Sequence, residues 1–175
     1  MYRSKAIALA IVAAGFFSLG GTISQACGDK LLAFRNGIRA QRAYAAAHQS
    51  SVILYSSNHE SGATLRNSKL QSMLKESGHK LQVVQDSAQF IQALKAGRVD
   101  VVLADIADAN EITQQFQSAS TKPSILPVLY QPSKAEFAAA QKQYKIALKS
   151  SSDELQFLIA INDVVKARMK AVGKS

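Results

Sequence analysis

The chain has 175 residues, enough for one ordinary domain that buries roughly two-thirds of the surface exposed by its unfolded form. Its composition, 47% hydrophobic and 19% charged, excludes a disordered or fibrous protein. The net charge is +9, but the basic residues are scattered and tryptophan is absent, so the basic stripe with stacking aromatics typical of nucleic-acid readers is missing. We therefore expect no nucleic-acid partner.

Residues 1–26 have the three parts of a secretory signal peptide. Arg3 and Lys5 form a basic start, 6–17 is an apolar run, and 24–26 ("SQA") is a small-x-small cleavage site. We predict cleavage after this tripeptide and a periplasmic or secreted product, with an uncleaved membrane anchor as the alternative. Cleavage leaves 19 basic against 12 acidic side chains, a net charge of about +7 that favours anionic partners and surfaces.

Cys27, the only cysteine in the sequence, directly follows the predicted cleavage site. No internal disulfide is therefore possible, and no Cys/His cluster has metal-ligand spacing, so we expect no metal and no cofactor. A cysteine at this position suggests a lipoprotein whose lipid tethers the domain to a membrane. Lipoprotein signals usually carry Leu three residues earlier, where this chain has Ser24. Lipidation and a free thiol both stay open.

Residues 27–50 are predicted to form an N-terminal helical segment with a break at Gly37. Basic side chains recur in its 30–42 stretch, at Lys30, Arg35, Arg39 and Arg42. One interpretation is an amphipathic arm that lies on a membrane surface or a partner. The other is a helix docked on the domain with a solvated basic face, which Gly37 and the alanine-rich end favour because they weaken the amphipathic pattern.

Residues 51–172 alternate between short apolar runs and helical patterns. The predicted strands are 51–57, 80–85, 99–105, 124–131 and 144–150, and the predicted helices are 63–78, 86–97, 107–120, 132–143 and 151–171. Helix-start pairs occur at Asp86–Gln89, Asp108–Glu111, Ser133–Glu136 and Ser151–Glu154. Two helix-to-strand joints, ending at Gly78 and Gly97, resemble each other, and Pro127 predicts a sheet-edge position or a bulge.

This alternation predicts an α/β fold: a doubly wound five-stranded parallel sheet, order 2-1-3-4-5, with helices on both faces. Ligands of such sheets bind beyond the carboxyl ends of the strands. The polar side chains predicted to line that crevice are Ser56, Ser57, Asn58, Asp105, Tyr130 and Lys149. Asp105 in this crevice is either a functional carboxylate paired with Lys149 or a structural loop residue.

The third predicted strand ends in Asp105 ("VVLAD") and the fifth in Lys149 ("IALKS"). With these spacings and its long last helix, the stretch 51–170 resembles the response-regulator receiver domains, the CheY-like family. In that family the third strand ends in the phospho-accepting Asp and the fifth in a Lys. The resemblance therefore implies a receiver-like fold over residues 51–172.

The departures from the receiver pattern concern the chemistry. The acidic pair that holds magnesium after the first strand is Ser56-Ser57 here, and hydroxyls cannot replace carboxylates for this hard cation. Phosphorylation of a carboxylate needs that metal to offset charge on the phosphoryl oxygens. Tyr130 stands at the family's switch Ser/Thr, and Ser150 replaces its Pro. An exported chain also has no phosphodonor, so the resemblance implies a degenerate, unphosphorylated receiver.

We expect a non-catalytic, receiver-like interaction module of the bacterial cell envelope that binds an envelope protein. Its face would include Tyr130, Tyr144, Lys145 and the outer side of 153–170. The alternative is a periplasmic binding protein for a small anionic ligand in the strand-end crevice; a phosphorylatable receiver would require the leader prediction to be wrong. No P-loop or nucleophile elbow occurs, and the segment 56–59 is too short to form a serine–histidine pair unaided, so we expect no enzyme.

Overall fold

The computed structural model of the protein describes residues 26–116 and 122–172, with side chains from residue 37 onward. Its helices are α1 (Ala26–Ala47), α2 (Gly62–Leu65), α3 (Ser68–Glu76), α4 (Ser87–Ala96), α5 (Ala109–Gln115), α6 (Lys134–Tyr144) and α7 (Glu154–Val172). Its strands are β1 (Ser51–Tyr55), β2 (Lys80–Val84), β3 (Val101–Asp105), β4 (Ser124–Leu129) and β5 (Leu148–Lys149).

Residues 1–25, all but the last residue of the predicted signal peptide, lie outside the described residues, and so does the side chain of Cys27. Export, cleavage and lipidation therefore stay predictions. No helix within residues 26–116 and 122–172 combines the length and hydropathy that a membrane span requires.

The five strands form one parallel sheet in the order β2-β1-β3-β4-β5, which confirms the predicted fold class. β1 and β3 lie in the middle, and their side chains are buried on both faces almost throughout. Continuous apolar runs such as "VVLA" are typical of strands covered by helices on both sides. Because the strands are parallel, their carboxyl ends meet at one edge of the sheet and their amino ends at the opposite edge.

Helices cover both faces of the sheet, as predicted. On one face, α3 and α7 pack against Leu54, Leu103 and Leu126 in a core that includes Leu74 and Phe157. The other face packs against α4 and α5, and its core is Ile53, Tyr55, Val84, Phe90, Ala93, Val99, Val102, Ala104, Ile112 and Phe116.

The N-terminal helix α1 docks on α7. The buried Asn162 side chain donates to the Gln41 carbonyl and side-chain oxygens, at 3.1 and 2.8 Å, and the Lys166 Nζ lies 4.9 Å from the Tyr44 ring centroid. The predicted break at Gly37 is wrong, because α1 continues through it. A glycine costs a helix only about 1 kcal/mol relative to alanine, too little to end one.

The single helix predicted over 63–78 is wrong, because the chain forms two helices there. Asn67 leaves the helical conformation (φ −60°, ψ 121°) and its side chain accepts the Lys69 N–H, which starts α3 anew. Asparagine competes for backbone groups in this way and so favours helix starts over helix interiors.

The fifth strand, predicted over 144–150, has only two residues. Tyr144 instead ends α6, and Lys145 follows it with a positive φ of 66°. β5 pairs with Val128 and Leu129 and therefore starts beyond Pro127. The Ser150 N–H donates to the Leu129 carbonyl, so Pro127, two residues earlier, also directs its backbone toward the β5 side. Its missing N–H thus falls where no described strand pairs with β4, in agreement with the predicted edge position.

The helix starts match the predictions in part. Ser133 and Glu136 form the predicted capping box. The Asp86 side chain accepts the Gln89 N–H as expected, although the Gln89 side chain accepts from Gln85 instead of closing the box. The cap predicted at Ser151 is wrong: α7 starts later, where Asp153 accepts the Gln156 N–H at 2.8 Å.

The two similar helix-to-strand joints differ in conformation. Gly78 has a positive φ of 95°, which favours glycine, whereas Gly97 is extended, with φ 172°. The similar sequences of the two joints therefore do not give the same backbone conformation.

Candidate functional site

Asp105, at the carboxyl end of β3, is only 6% exposed. Its Oδ2 accepts the hydroxyl of the buried Ser61 at 2.5 Å, and its Oδ1 accepts the Ala107 N–H at 2.8 Å. Both carboxylate oxygens therefore hold loops in place, one after β1 and one after β3. This arrangement agrees with the structural interpretation of Asp105.

The structure does not bring Lys149 and Asp105 together as an ion pair. Lys149 is exposed at the end of β5, and its Nζ lies 5.0 Å from the ring centroid of Phe137 on α6. An ammonium over an aromatic face is weakly attracted to it. The pairing that one of the two interpretations of Asp105 required is therefore not formed, because each side chain contacts a different neighbour.

The predicted crevice residues after β1 mostly bond to neighbouring segments. Ser56 is buried and donates its hydroxyl to the Val84 carbonyl at 3.3 Å. The Arg66 Nη1 donates to the carbonyls of Ser56 and Ser57 at 2.9 and 3.1 Å. Asn58 is exposed. Arg66, a residue that no sequence pattern indicated, thus places its positive charge against the backbone carbonyls of the loop after β1.

Asp108, which follows β3, has a different role from the helix cap that the sequence predicted. It was expected to cap α5, but it makes no capping bond there. Instead its Oδ2 accepts the Ser57 hydroxyl at 2.6 Å, and its Oδ1 lies 3.3 Å from the His59 Nε2. Only the chain fold brings residues 57 and 108 together, so no local signal in the sequence indicates the contact.

The Ser57–Asp108–His59 cluster has the wrong order for nucleophilic catalysis. In a catalytic triad the histidine lies between serine and carboxylate and removes the serine proton. Here the carboxylate lies between the other two, so Ser57 donates to Asp108 and no imidazole is placed to activate it. In the described part of the chain no group of three or more side chains is arranged to hold a metal ion.

The phenol of Tyr55 lies near this cluster and does not ionise at neutral pH. Burial raises its pKa above the ordinary value of 10.0, and the nearby Asp108 and Glu111 carboxylates add to the rise, which a hydrogen bond with Ser87 partly offsets. The phenol therefore stays protonated.

Gly62, the first residue of α2, allows the loop after β1 to pack closely against Ser57. A Cβ added there would overlap the Ser57 carbonyl oxygen and crowd the Arg66 guanidinium. The loop therefore requires glycine at this position because of space, and the close approach sets the position of Ser57.

Tyr130, the last of the predicted site residues, lies apart from this network. It is 45% exposed directly after β4, and Gln131 follows with a positive φ of 38°. Beside it, a groove of about 320 Å³ runs between the end of β4 and α6 and includes Leu129 and Ala140. At the rim, hydrogen bonds from Ser133 lower the pKa of Glu136, so this carboxylate is charged at neutral pH.

Comparisons with models of known protein families, with curated protein sequences and with solved structures found no match for this chain. The architecture itself, five parallel strands in the order 2-1-3-4-5 with helices around the sheet, is that of a flavodoxin-like α/β protein.

Proposed function

We propose that this chain is a non-catalytic, receiver-like interaction module of the bacterial cell envelope, which binds an acidic partner protein through the Tyr130 surface. This surface is defined by Tyr130, the adjoining groove and the lysines of residues 134–149. The exposed ring of Tyr130 carries the proposal. Placement in the envelope rests on the signal-peptide pattern of residues 1–26.

The aromatic group and the groove have the features of a protein-binding surface. An exposed tyrosine offers a large, rigid contact area with a hydroxyl at its tip, and tyrosine is enriched among residues that dominate binding energy. The groove beside Tyr130 is small and shallow, with apolar Leu129 and Ala140 and with Pro132 and Gln143. A partner side chain fits such a depression better than an enclosed metabolite does.

The charge around Tyr130 indicates the chemistry of the partner. Between residues 130 and 149 the chain has one acidic residue, Glu136, and four lysines: Lys134, Lys142, Lys145 and Lys149. All five are exposed. Complementary potentials accelerate association and select partners, so an acidic protein surface is expected to bind here.

The absence of catalysis is supported by the polar network after β1 and β3. Ser56, Ser57 and Asp105 bond to other parts of the same chain, and two serines stand where receivers have their magnesium-binding acids. Magnesium needs carboxylate oxygens at near-ideal octahedral positions. A phosphoryl-transfer role therefore has little support.

A photo-crosslinking experiment tests the surface. A benzophenone amino acid is placed at Tyr130 in the full-length chain and, as a matched control, at Ile91, an exposed apolar residue of α4. We expect irradiation of cells to give a discrete adduct with an acidic protein from position 130 only. Combining the probe with Lys142→Glu and Lys145→Glu should abolish the adduct, and equal adducts from both positions would contradict the proposal.

The alternative, a binding protein for a small anion, is favoured by one observation. Lys149 is exposed, and in the described residues no carboxylate forms an ion pair with it. A thermal-shift titration with small anions distinguishes the two functions, because a bound ligand raises Tm. A rise with one anion that is lost in Lys149→Ala supports the alternative. A rise with magnesium and beryllofluoride that is lost in Asp105→Asn would support receiver chemistry and contradict both.

A further inference from the structure

We propose that the amino end of the sheet is a binding site for an anionic amphiphile, a small molecule with an apolar chain and a negatively charged head group. This site lies at the opposite edge of the sheet from the Asp105 network. Two adjoining cavities, one mainly apolar and one bordered by cationic side chains, carry the inference.

The apolar cavity has a volume of about 690 Å³ and lies between the end of α1 and the last turns of α7. Its lining includes Ala47, Val165, Met169 and Ala171. Met169 is 51% exposed, so part of this apolar lining is open to solvent. Sites for small organic ligands typically have this size and this apolar character.

The second cavity, of about 620 Å³, lies beside the starts of β1 and β2. Two exposed cations, Lys80 and Arg98, line it. Its carboxylate, Asp100, already accepts the Arg98 Nε–H at 2.9 Å and the Ser51 N–H at 3.0 Å. Because Asp100 forms an ion pair with Arg98, the three side chains together carry one net positive charge, and the Lys80 ammonium and the terminal nitrogens of Arg98 are the donors that an anion would meet.

Both cavities share the residues Gln49, Ser50, Arg98 and Asp100. Ser50 is 3% exposed, and its Oγ lies 2.9 Å from the Nδ1 of the buried His79. An anionic head group only accepts hydrogen bonds, so the Ser50 hydroxyl can bind one in the tautomer in which the His79 Nδ1–H donates to Oγ and leaves the hydroxyl proton free. An apolar volume that adjoins cationic side chains fits a molecule that has both parts, whereas an inorganic anion would leave the apolar volume unused.

Isothermal titration of the full-length chain with decanoate tests the site. We expect saturable binding of decanoate and none of decyltrimethylammonium, which has the same chain with a cationic head, or of acetate, which is a head without the chain. Equal binding of decanoate and decyltrimethylammonium would overturn the proposal, since the cations would then have no role. Equal binding of acetate, or no binding of decanoate, would overturn it as well.

Variants locate the binding within the molecule. Replacing both cations (Lys80→Gln with Arg98→Gln) is expected to weaken decanoate binding about tenfold, because charge-assisted hydrogen bonds are lost. Its matched control is Lys75→Gln with Arg39→Gln, two exposed cations elsewhere.

The apolar half is tested by Ala47→Phe, which places a ring in the larger cavity and should block the chain. Ala40→Phe, at an exposed position of the same helix, is its control. If either control variant weakens binding as much as its test variant, the site lies elsewhere and the proposal fails. Far-UV circular dichroism confirms that each variant is folded.

Discussion

The two ends of the sheet differ in how their polar side chains are used. At the carboxyl end, Asp105 bonds to Ser61 and Asp108 to Ser57, so carboxylates and hydroxyls satisfy one another within the chain. At the amino end, Lys80 extends beside a cavity and is exposed. Topology favours ligand binding at carboxyl ends in this fold, but the side chains decide whether room and charge remain for a ligand.

The difference has a chemical origin. The carboxyl end is rich in short polar residues, which reach only the nearest backbone and side-chain partners and so close the loops on themselves. The amino end has long cationic side chains, whose heads extend into solvent while their stems lie along the protein. We therefore expect substitutions within the Asp105 network to change mainly stability, and those of the cations Lys80 and Arg98 to change mainly binding.

The largest effect is expected for Gly62→Ala. The added methyl group would overlap the Ser57 carbonyl oxygen, which is backbone and cannot rotate away. We expect the free energy of unfolding to fall by about 3 kcal/mol, the upper part of the range for overpacking. Urea unfolding monitored by circular dichroism measures it. An unchanged free energy of unfolding would mean that the loop after β1 can move to accept the methyl group.

Asp105→Ala should lower the free energy of unfolding by about 2 kcal/mol, because it leaves the buried Ser61 hydroxyl and the Ala107 N–H without their acceptor. Asp105→Asn keeps one acceptor oxygen and should lose only about 1 kcal/mol. The same urea titration compares both variants.

A double-mutant cycle of Asp105→Ala with Lys149→Ala sharpens this test. The two side chains contact different neighbours, so their effects should add within about 0.5 kcal/mol. A larger coupling energy would show that the Asp105–Lys149 pair, the alternative interpretation of Asp105, does form in solution.

A pH-dependent effect is expected at the amino end. Burial lowers the pKa of His79 below its ordinary value of 6.5, so the folded protein binds fewer protons than the unfolded chain. The stability from neutral His79 is thus complete above about pH 6.5 and is lost as the pH falls below that value toward the folded-state pKa. His79→Gln should flatten the dependence of Tm on pH between about 8 and 5.5.

His59→Gln is the control for this measurement, since it removes an exposed histidine at the carboxyl end and keeps His79. An unchanged pH dependence in His79→Gln, or an equal flattening in His59→Gln, would contradict the assignment to His79.

The smallest effect, and the only favourable one, is expected for Gly37→Ala. Apart from its chain neighbours and the backbone of its own helix, no described atom lies within 4 Å of a Cβ built there, and the residue lies inside α1. Alanine should therefore stabilise the helix by about 0.5–1 kcal/mol. Gly62→Ala makes the same substitution but is expected to change the free energy of unfolding in the opposite direction. Comparing the two variants therefore isolates the steric effect at Gly62. Thermal unfolding followed by circular dichroism measures the change.

Much of the fold was predictable from the sequence, because apolar runs such as "VVLA" and helix starts such as Ser133–Glu136 are local signals. Local signals failed where side chains competed for backbone groups: Asn67 divided one predicted helix, and Asp153 replaced Ser151 as a cap.

The candidate site was less predictable, since its contacts join distant segments. Ser57 and Asp108 are 51 positions apart, and Ser50 and His79 are 29 apart. The cavities at the amino end depend on how α1 and α7 pack, which no short motif encodes. Tyr130 was named from its place after the fourth strand, and the structure adds its exposure and the neighbouring groove.

The placement of Pro127 has a consequence for the behaviour of the protein at high concentration. Since β5 pairs only with the last two residues of β4, the earlier part of β4 is an edge of the sheet among the described residues, and an edge is where another chain can add a strand. A proline on that boundary removes the N–H that an incoming strand would need. The residue thus helps to protect folded and folding molecules alike from edge-to-edge aggregation.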